Sequence, residues 1–134
     1  MSEDKIDAFL QSPRFVVAGA STNRQKYGNK VLRSYLQNDR QAVPMNPRAD
    51  EIEGVRAVGT LADLPDPTCY GLSMITPPKI TEQIVDEAIR LGIRHIWMQP
   101  GAESPAAVEK AEAAGINTIH SGPCLLVVLG FRDQ

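Results

Sequence analysis

Residues 15–31 constrain the fold more than any other stretch of this chain. They begin with an uninterrupted apolar run, FVVA, which stops at Gly19 and is followed by small and polar residues. A run without polar alternation is typical of a parallel strand that is covered on both faces. A helix is predicted to begin between Lys26 and Asn29, where the free amides and the dipole of the first turn favour a bound phosphate. We therefore expect a nucleotide-like ligand.

The rest of the chain alternates between predicted helices and strands. Helices are predicted at residues 3–12, from 26–29 to about 38, from about 80 to 92, and from 104 to 115. Further strands are predicted at residues 41–45, 56–58, 70–75, 94–98 and 116–119, with one helical turn at 60–64. Because the links are short and parallel crossovers are right-handed, this order favours a Rossmann-like, doubly wound α/β fold. We expect a mostly parallel sheet of five to six strands with helices on both faces.

Three patterns give more local predictions. Along the second helix, Arg33, Gln37 and Asp39 are predicted to face water, opposite an apolar stripe. Pro44 has no amide hydrogen, so its strand is expected to place it where the ladder needs no donor. In the third helix, the apolar stripe that includes Ile80 has a period near 3.6 residues, which is typical of an amphipathic helix.

Composition limits the class of protein. The 134 residues, 43% hydrophobic and 22% charged, fit one domain over residues 1–134. A net charge of −2 gives no broad basic surface, so we expect no nucleic-acid partner. Residues 1–6 do not resemble a signal peptide, and no run approaches the roughly 20 apolar residues that cross a bilayer, so we expect a cytoplasmic protein without a membrane partner. Cys69 and Cys124 lack zinc-ligand spacing, which argues against a metal site or a disulfide framework.

The candidate site is the set of segments that follow the strands. In an open parallel sheet, ligands bind beyond the carboxyl ends of the strands, near the point where strand order reverses. These segments are residues 19–22, 46–48, 76–78, 99–101 and 121–124.

The first of these segments is an incomplete dinucleotide fingerprint. After Gly19, the second and third glycine positions of G-x-G-x-x-G hold Ser21 and Arg24. Small residues still allow a phosphate to approach the backbone, and the Ser21 and Thr22 hydroxyls add donors, although a tight turn without a ligand has the same composition. Lys26, beside the helix start, is either a phosphate contact or a solvated lysine.

The second strand ends without the acidic residue that holds a ribose in NAD-binding domains. Asn46-Pro47-Arg48 stands there instead, which favours an additional phosphate over a free ribose diol. The guanidinium of Arg48 offers a planar fork of donors that matches phosphate, unless it is an ordinary solvated arginine.

The remaining strand ends allow more than one interpretation. Thr76-Pro77-Pro78 is either the start of a helix or a rigid apolar wall for an adenine ring or a pantetheine arm. Trp97 is expected in the core, and His95 and His120 in structural roles. Cys124 is either a small buried residue or a reactive, thiol-pairing cysteine.

Taken together, these motifs carry a family resemblance over most of the chain. The motifs are residues 17–21, 26–28, 46–48, 76–78, 97–101 and 122–124. In this order they resemble the small stand-alone CoA-binding proteins, which are similar to the amino-terminal CoA-binding domain of the succinyl-CoA synthetase alpha subunit. The match runs from about Arg14 to Val128. It departs from many relatives at Arg48, where lysine is common, and at residues 70–73, which replace an acidic strand start.

The resemblance implies a Rossmann-type domain that binds coenzyme A or acyl-CoA. In that family, the glycine turn and a nearby lysine surround phosphates, the Asn-Pro-Lys/Arg loop reaches the nucleotide end, and paired prolines line the cofactor groove. The candidate cofactor-binding residues are Gly19, Ala20, Ser21, Thr22, Lys26, Gly28, Asn46, Pro47, Arg48, Thr76, Pro77, Pro78 and Gln99.

Three functional hypotheses follow. The related ligases continue into a second domain with a phosphorylated histidine, whereas this chain ends at Gln134, so we expect a non-catalytic CoA-binding protein. The alternative is a small NADP-dependent oxidoreductase, in which Arg48 meets the 2′-phosphate. The third hypothesis is an interaction subunit that docks to a larger acyl-CoA enzyme through residues 125–129, and a homodimer is compatible with each.

Overall fold

A sheet of five parallel strands forms the centre of the computed structural model, which describes residues 2–122 and 124–133. Its strands are β1 (Arg14–Ala18), β2 (Ala42–Met45), β5 (Tyr70–Met74), β6 (His95–Met98) and β7 (Asn117–Ile119). The spatial order is β2-β1-β5-β6-β7, so strand order reverses beside β1. This arrangement confirms the predicted Rossmann-like α/β class.

Five α-helices surround the sheet in the described part of the chain. They are α1 (Ser2–Leu10), α2 (Tyr27–Gln37), α3 (Pro78–Leu91), α4 (Pro105–Ala113) and α5 (Leu125–Val128), with short 3-10 helices at Leu61–Asp63 and Pro67–Cys69. Gly92 ends α3 with a φ of 78°, a left-handed conformation that suits glycine. Ser104 caps α4 by accepting a hydrogen bond from the amide of Ala107 at 3.0 Å. None of the helices in residues 2–122 and 124–133 has the length and apolar character that a bilayer crossing requires.

The two faces of the sheet carry separate cores. One face packs against α1, α2 and α5 and is rich in aromatic rings: Phe9, Phe15, Tyr35 and Trp97. The other face packs against α3 and α4 with mostly aliphatic side chains: Leu72, Met74, Ile84, Val85, Ile96 and Met98. Helices therefore cover both faces, as the unbroken apolar run in β1 predicts.

The region between β2 and β5 differs from the prediction of one strand near residues 56–58. It contains a hairpin of β3 (Glu51–Ile52) and β4 (Val55–Arg56), whose turn residues Glu53 and Gly54 both have positive φ. Val58 joins the main sheet only by an isolated parallel bridge to Met45. The outer edge of β2 receives Val58, whose amide donates to the carbonyl of Pro44 at 3.0 Å. The missing amide hydrogen of Pro44 is thus compatible with its strand.

The prediction that Arg33 faces water is wrong. Its side chain is only 5% exposed, and its guanidinium bonds Asn29 Oδ1 at 2.7 Å, the Arg24 carbonyl at 2.8 Å and Asp133 Oδ1 at 3.0 Å. It also stacks over the ring of Phe131. The carboxyl-terminal residues cover this side of α2, a long-range contact that helical periodicity does not report. Arg33 holds the pKa of the Asp133 carboxyl below its usual range by donating a hydrogen bond.

Candidate functional site

The turn after β1 is held by two close backbone approaches. Gly19 has a φ of 89°, and a Cβ there would lie 2.5 Å from the carbonyl oxygen of Ile75 at the end of β5. At the start of α2, a Cβ on Gly28 would lie 2.0 Å from the carbonyl oxygen of Gly19. Both distances exclude a side chain, so glycine brings β1, β5 and α2 together at the carboxyl end of the sheet.

Hydrogen bonds shape the rest of this turn. The hydroxyl of Ser21 accepts from the amide of Asn23 at 3.0 Å, and the Ser21 carbonyl accepts from Asn29 Nδ2 at 2.9 Å. Thr22 and Lys26 are exposed. Lys26 is the N-cap residue of α2, and its exposed side chain makes no cap hydrogen bond with the helix.

Asn46 connects this turn to the loop after β2. Its Nδ2 donates to the carbonyl of Ala20 at 2.9 Å, and its Oδ1 accepts from the amides of Arg48 and Ala49 at 2.7 and 3.1 Å. The amide of one side chain therefore fixes the loop conformation and the distance between the two loops. The side chains of Pro47 and Arg48 are exposed beyond it.

A groove of about 550 Å³ lies beside these loops. It brings together six of the candidate residues: Gly19, Ala20, Asn46, Pro47, Arg48 and Thr76. Thr76 is buried, and its hydroxyl bonds that of Thr81 at 2.6 Å, which fixes the link from β5 to α3. The groove thus opens at the carboxyl ends of β1, β2 and β5, where strand order reverses.

The opposite wall of the groove was missed by sequence reasoning. It consists of Ile80, Gln83, Ile84, Glu87 and Arg90 on α3. Met45, Gly59 and Thr60 complete the lining of the groove. The α3 residues repeat every three or four positions and therefore share one helix face. That spacing was the available signal, but the apolar members were interpreted as part of an amphipathic stripe, whereas Ile80 is 41% exposed.

The other candidates lie outside the groove lining. Pro77 is the N-cap of α3 and Pro78 is its first residue, and both are exposed, which agrees with the helix-start interpretation. Ser21, Thr22, Lys26 and Gly28 lie along the turn before α2 or at its start.

Gln99 belongs to a second polar cluster, at the end of β6. Its Oε1 accepts from the hydroxyl of Tyr27 at 3.1 Å and from the amide of Leu125 at 2.9 Å. The Tyr27 hydroxyl also contacts Cys124 Sγ at 2.7 Å. Burial, with a smaller contribution from Cys124, raises the pKa of Tyr27 well above its usual range, so the phenol stays neutral.

One atom in this cluster has no hydrogen-bond partner among residues 2–122 and 124–133. It is Nε2 of Gln99, in a side chain that is fully buried. The Leu125 amide needs an acceptor and thereby fixes which end of the Gln99 side chain is oxygen. Pro123, which belongs to the motif at residues 122–124, lies outside the described residues.

The two histidines lie away from the groove lining. His95 Nδ1 contacts Asn117 Nδ2 at 3.0 Å, and His120 Nδ1 contacts the hydroxyl of Ser121 at 2.6 Å. Burial lowers the pKa of His95, and the nearby charge of Arg94 lowers it further. Each histidine thus has a hydrogen-bonding neighbour outside the groove, and its structural role stays a prediction.

Comparison with known proteins gives one family match. Residues 13–130 match the family model described as a CoA binding domain. A match of this length includes every strand, both loops of the groove and α3.

Solved structures share the same fold. A conserved hypothetical protein from Pyrococcus furiosus is 35% identical, with a TM-score of 0.79 over 86% of this chain and 97% of that chain. A protein from Thermus thermophilus is 25% identical, with a TM-score of 0.81 over 97% of both chains.

A larger protein contains a similar unit. It is acetyl-coenzyme A synthetase 1 from Ca. Korarchaeum cryptofilum, in complex with phosphate and ADP, at 23% identity and a TM-score of 0.71. The similarity covers 81% of this chain but 25% of the synthetase. At this identity the likeness concerns the fold alone.

Proposed function

The chain belongs to the CoA-binding domain family, and from this premise we propose that it binds coenzyme A or an acyl-CoA in the groove beside α3. The observation that carries the proposal is the position of Arg48. It lines a groove of about 550 Å³ next to the Gly19 turn, and its guanidinium makes no hydrogen bond or ion pair with the described residues. An unpaired guanidinium at a strand-end groove suits a phosphorylated ligand.

The residues of the turn fit a diphosphate. Gly19 and Gly28 keep side chains away from the backbone between them, and Lys26 adds a positive charge beside the first turn of α2. We propose that the backbone of Gly19 and Ala20, the hydroxyls of Ser21 and Thr22, and Lys26 hold the diphosphate. Arg48, with Asn46 and Pro47 forming its loop, would hold the phosphate on the ribose.

The rest of the proposed site extends along the strand ends. Thr76, Pro77 and Pro78 would border the path of the pantetheine arm. The buried Nε2 of Gln99 has no acceptor among residues 2–122 and 124–133, and an unsatisfied donor of this kind costs about 1–3 kcal/mol. An amide or thioester carbonyl of a bound CoA is the acceptor that we propose for it.

We propose binding without catalysis by this chain alone. Glu87, the carboxylate in the groove lining, already accepts from the amide of Leu61 at 3.2 Å. The histidines are engaged elsewhere. Three further statements stay predictions. The chain forms one domain, it works in the cytoplasm, and it forms a homodimer or docks to a larger acyl-CoA enzyme.

Calorimetric titration of the purified chain with CoA, NADP and NAD tests the proposal. We expect CoA to bind more tightly than either dinucleotide, because the chain matches a CoA-binding family and the buried Nε2 of Gln99 offers a donor to the pantetheine arm. Arg48→Gln should weaken CoA binding by about 1–3 kcal/mol, since a charge-assisted hydrogen bond is lost. Arg132→Gln, which removes an exposed arginine outside the groove, is the control and should leave the affinity unchanged. Absence of CoA binding at millimolar concentration would refute the proposal, and tighter binding of NADP would favour the oxidoreductase alternative.

A further inference from the structure

The groove extends along most of α3 and does not end at the strand-end loops. Its lining includes Ile80 in the first turn of α3 and Arg90 in the last. Ten residues at 1.5 Å per residue place these positions about 15 Å apart along the helix axis. One end of the groove is therefore formed by the Gly19 turn and Thr76, while Arg90 marks the end that points away from the diphosphate.

Two unpaired guanidinium groups line this one groove. Arg48 comes from the loop after β2, and Arg90 comes from the opposite wall. Both side chains are exposed, and neither makes a hydrogen bond, ion pair or ring contact with residues 2–122 or 124–133. Glu87 neutralises part of this charge, but its Oε1 is engaged by the amide of Leu61. Two guanidinium groups against one carboxylate leave the groove with a net positive charge, which is complementary to an anion.

Apolar side chains line the same groove as these charges. Ile80 is 41% exposed and Ile84 is 9% exposed, and both face the groove from α3. A flat ring that covered them would remove apolar surface from water. The groove therefore combines an apolar surface on α3 with two guanidinium groups, which matches a purine ribonucleotide that carries a phosphate monoester.

We propose that Arg90 is a second phosphate-binding residue and that it acts with Arg48 to select the 3′-phosphorylated adenosine of CoA. This inference rests on the proposed function and adds to it a preference for CoA over dephospho-CoA. The 3′-phosphate is a monoester with a charge near −2, whereas dephospho-CoA presents a hydroxyl at the same place. The two arginines therefore favour CoA over dephospho-CoA, and Ile80 and Ile84 provide the surface on which adenine packs.

The test compares the affinities of CoA and dephospho-CoA in matched variants. Arg90→Gln should weaken CoA binding by about tenfold, as expected for the loss of one charge-assisted contact, and change dephospho-CoA binding by less than about twofold. Arg90→Lys keeps the charge and should recover part of the loss. Arg94→Gln removes the same charge from an exposed residue just beyond α3 that does not line the groove, and it should change neither affinity. Arg90→Gln should also weaken the binding of adenosine 3′,5′-bisphosphate, which lacks the pantetheine arm, by a similar factor.

The outcomes separate this inference from the proposed function. If the unmodified chain binds CoA and Arg90→Gln weakens CoA and dephospho-CoA equally, or weakens neither, the role of Arg90 is refuted while CoA binding stands. A loss confined to CoA supports the inference, because a merely structural role at the end of α3 would not depend on the 3′-phosphate. Circular dichroism of each variant should show the same helix content as the unmodified chain, so that a change in affinity is not caused by loss of α3.

Discussion

The two faces of the central sheet are built for different purposes. On the aromatic face, formed by Phe9, Phe15, Tyr35 and Trp97, the rings of Phe15 and Tyr35 stack at 4.6 Å and those of Phe9 and Trp97 meet edge to face at 5.4 Å. The opposite, aliphatic face packs under α3 and α4 and adjoins the groove through Met45 and Ile84.

This difference indicates how one small sheet can hold both a stable core and a ligand. Because aromatic rings bury a large area per residue and pack in specific geometries, we expect the aromatic face to contribute most to stability. Aliphatic side chains and alanines let α3 lie beside the sheet with one of its faces available to the groove. We therefore expect changes on the aromatic face to alter stability, and changes along the groove to alter binding.

The largest expected effect tests the aromatic face. Trp97→Ala removes a fully buried ring that contacts Phe9 and should lower the free energy of unfolding by about 3–5 kcal/mol. Denaturant unfolding measures this loss, and CoA affinity measured well below the unfolding midpoint should be unchanged. Ile80→Ala is the counterpart on the groove, since it should weaken CoA binding with little change in stability. A stable Trp97→Ala variant with lost CoA binding would contradict the division between the faces.

A smaller effect on the free energy of unfolding is expected at Gly28, where α2 contacts the turn after β1. Gly28→Ala places a Cβ 2.0 Å from the carbonyl oxygen of Gly19, so α2 must shift and the chain should lose about 1–3 kcal/mol of stability. CoA affinity should fall as well, because the turn moves with α2. Gly122→Ala adds the same methyl group where nothing lies within 4 Å, and thermal unfolding should show no comparable loss. Equal stability of the two variants would show that the close approach at Gly28 is relaxed in solution.

The smallest effect concerns pH and the edge of the aromatic face. His95 packs edge to face against Phe9, and burial lowers its pKa below the ordinary value of 6.5. Between the folded and the ordinary pKa the unfolded chain binds more protons, so stability falls as pH decreases below about 6.5. His95→Gln removes this titration and should reduce the difference in melting temperature between about pH 7.5 and pH 5.5. An unchanged difference would assign the pH dependence to other groups.

Much of the fold could be predicted because its signals are local. The apolar run at residues 15–18, the helix end predicted at residue 92 and the helix start predicted at residue 104 each depend on immediate neighbours in the chain, and each prediction agrees with the structure. The prediction that Arg33 faces water was wrong because the contacts that bury this side chain include long-range ones. Its partner Asp133 is 100 positions away along the chain, so no pattern within α2 could reveal that it is buried.

The candidate site divides in the same way. Loops that follow strands could be located from the sequence, because the carboxyl ends of parallel strands lie on one edge of a sheet. The wall formed by α3 could not be located from the sequence. Periodicity indicates which face of a helix is apolar, but it does not indicate whether other parts of the protein cover that face. Ile80 and Arg90 became groove residues only through the distance between α3 and the loop after β2.

The bridge between Val58 and the outer edge of β2 has a consequence for assembly. The amide of Asn46 donates to the carbonyl of Val58 at 2.9 Å, and Val58 donates back to Pro44. Val58 therefore occupies the margin of the sheet at residues 44–46, and Pro44 could not donate to a strand from another molecule. A second copy of this chain that extended the sheet past β2 would have to displace Val58 from this position, so we expect any dimer formed on that side to use side chains of loops and helices.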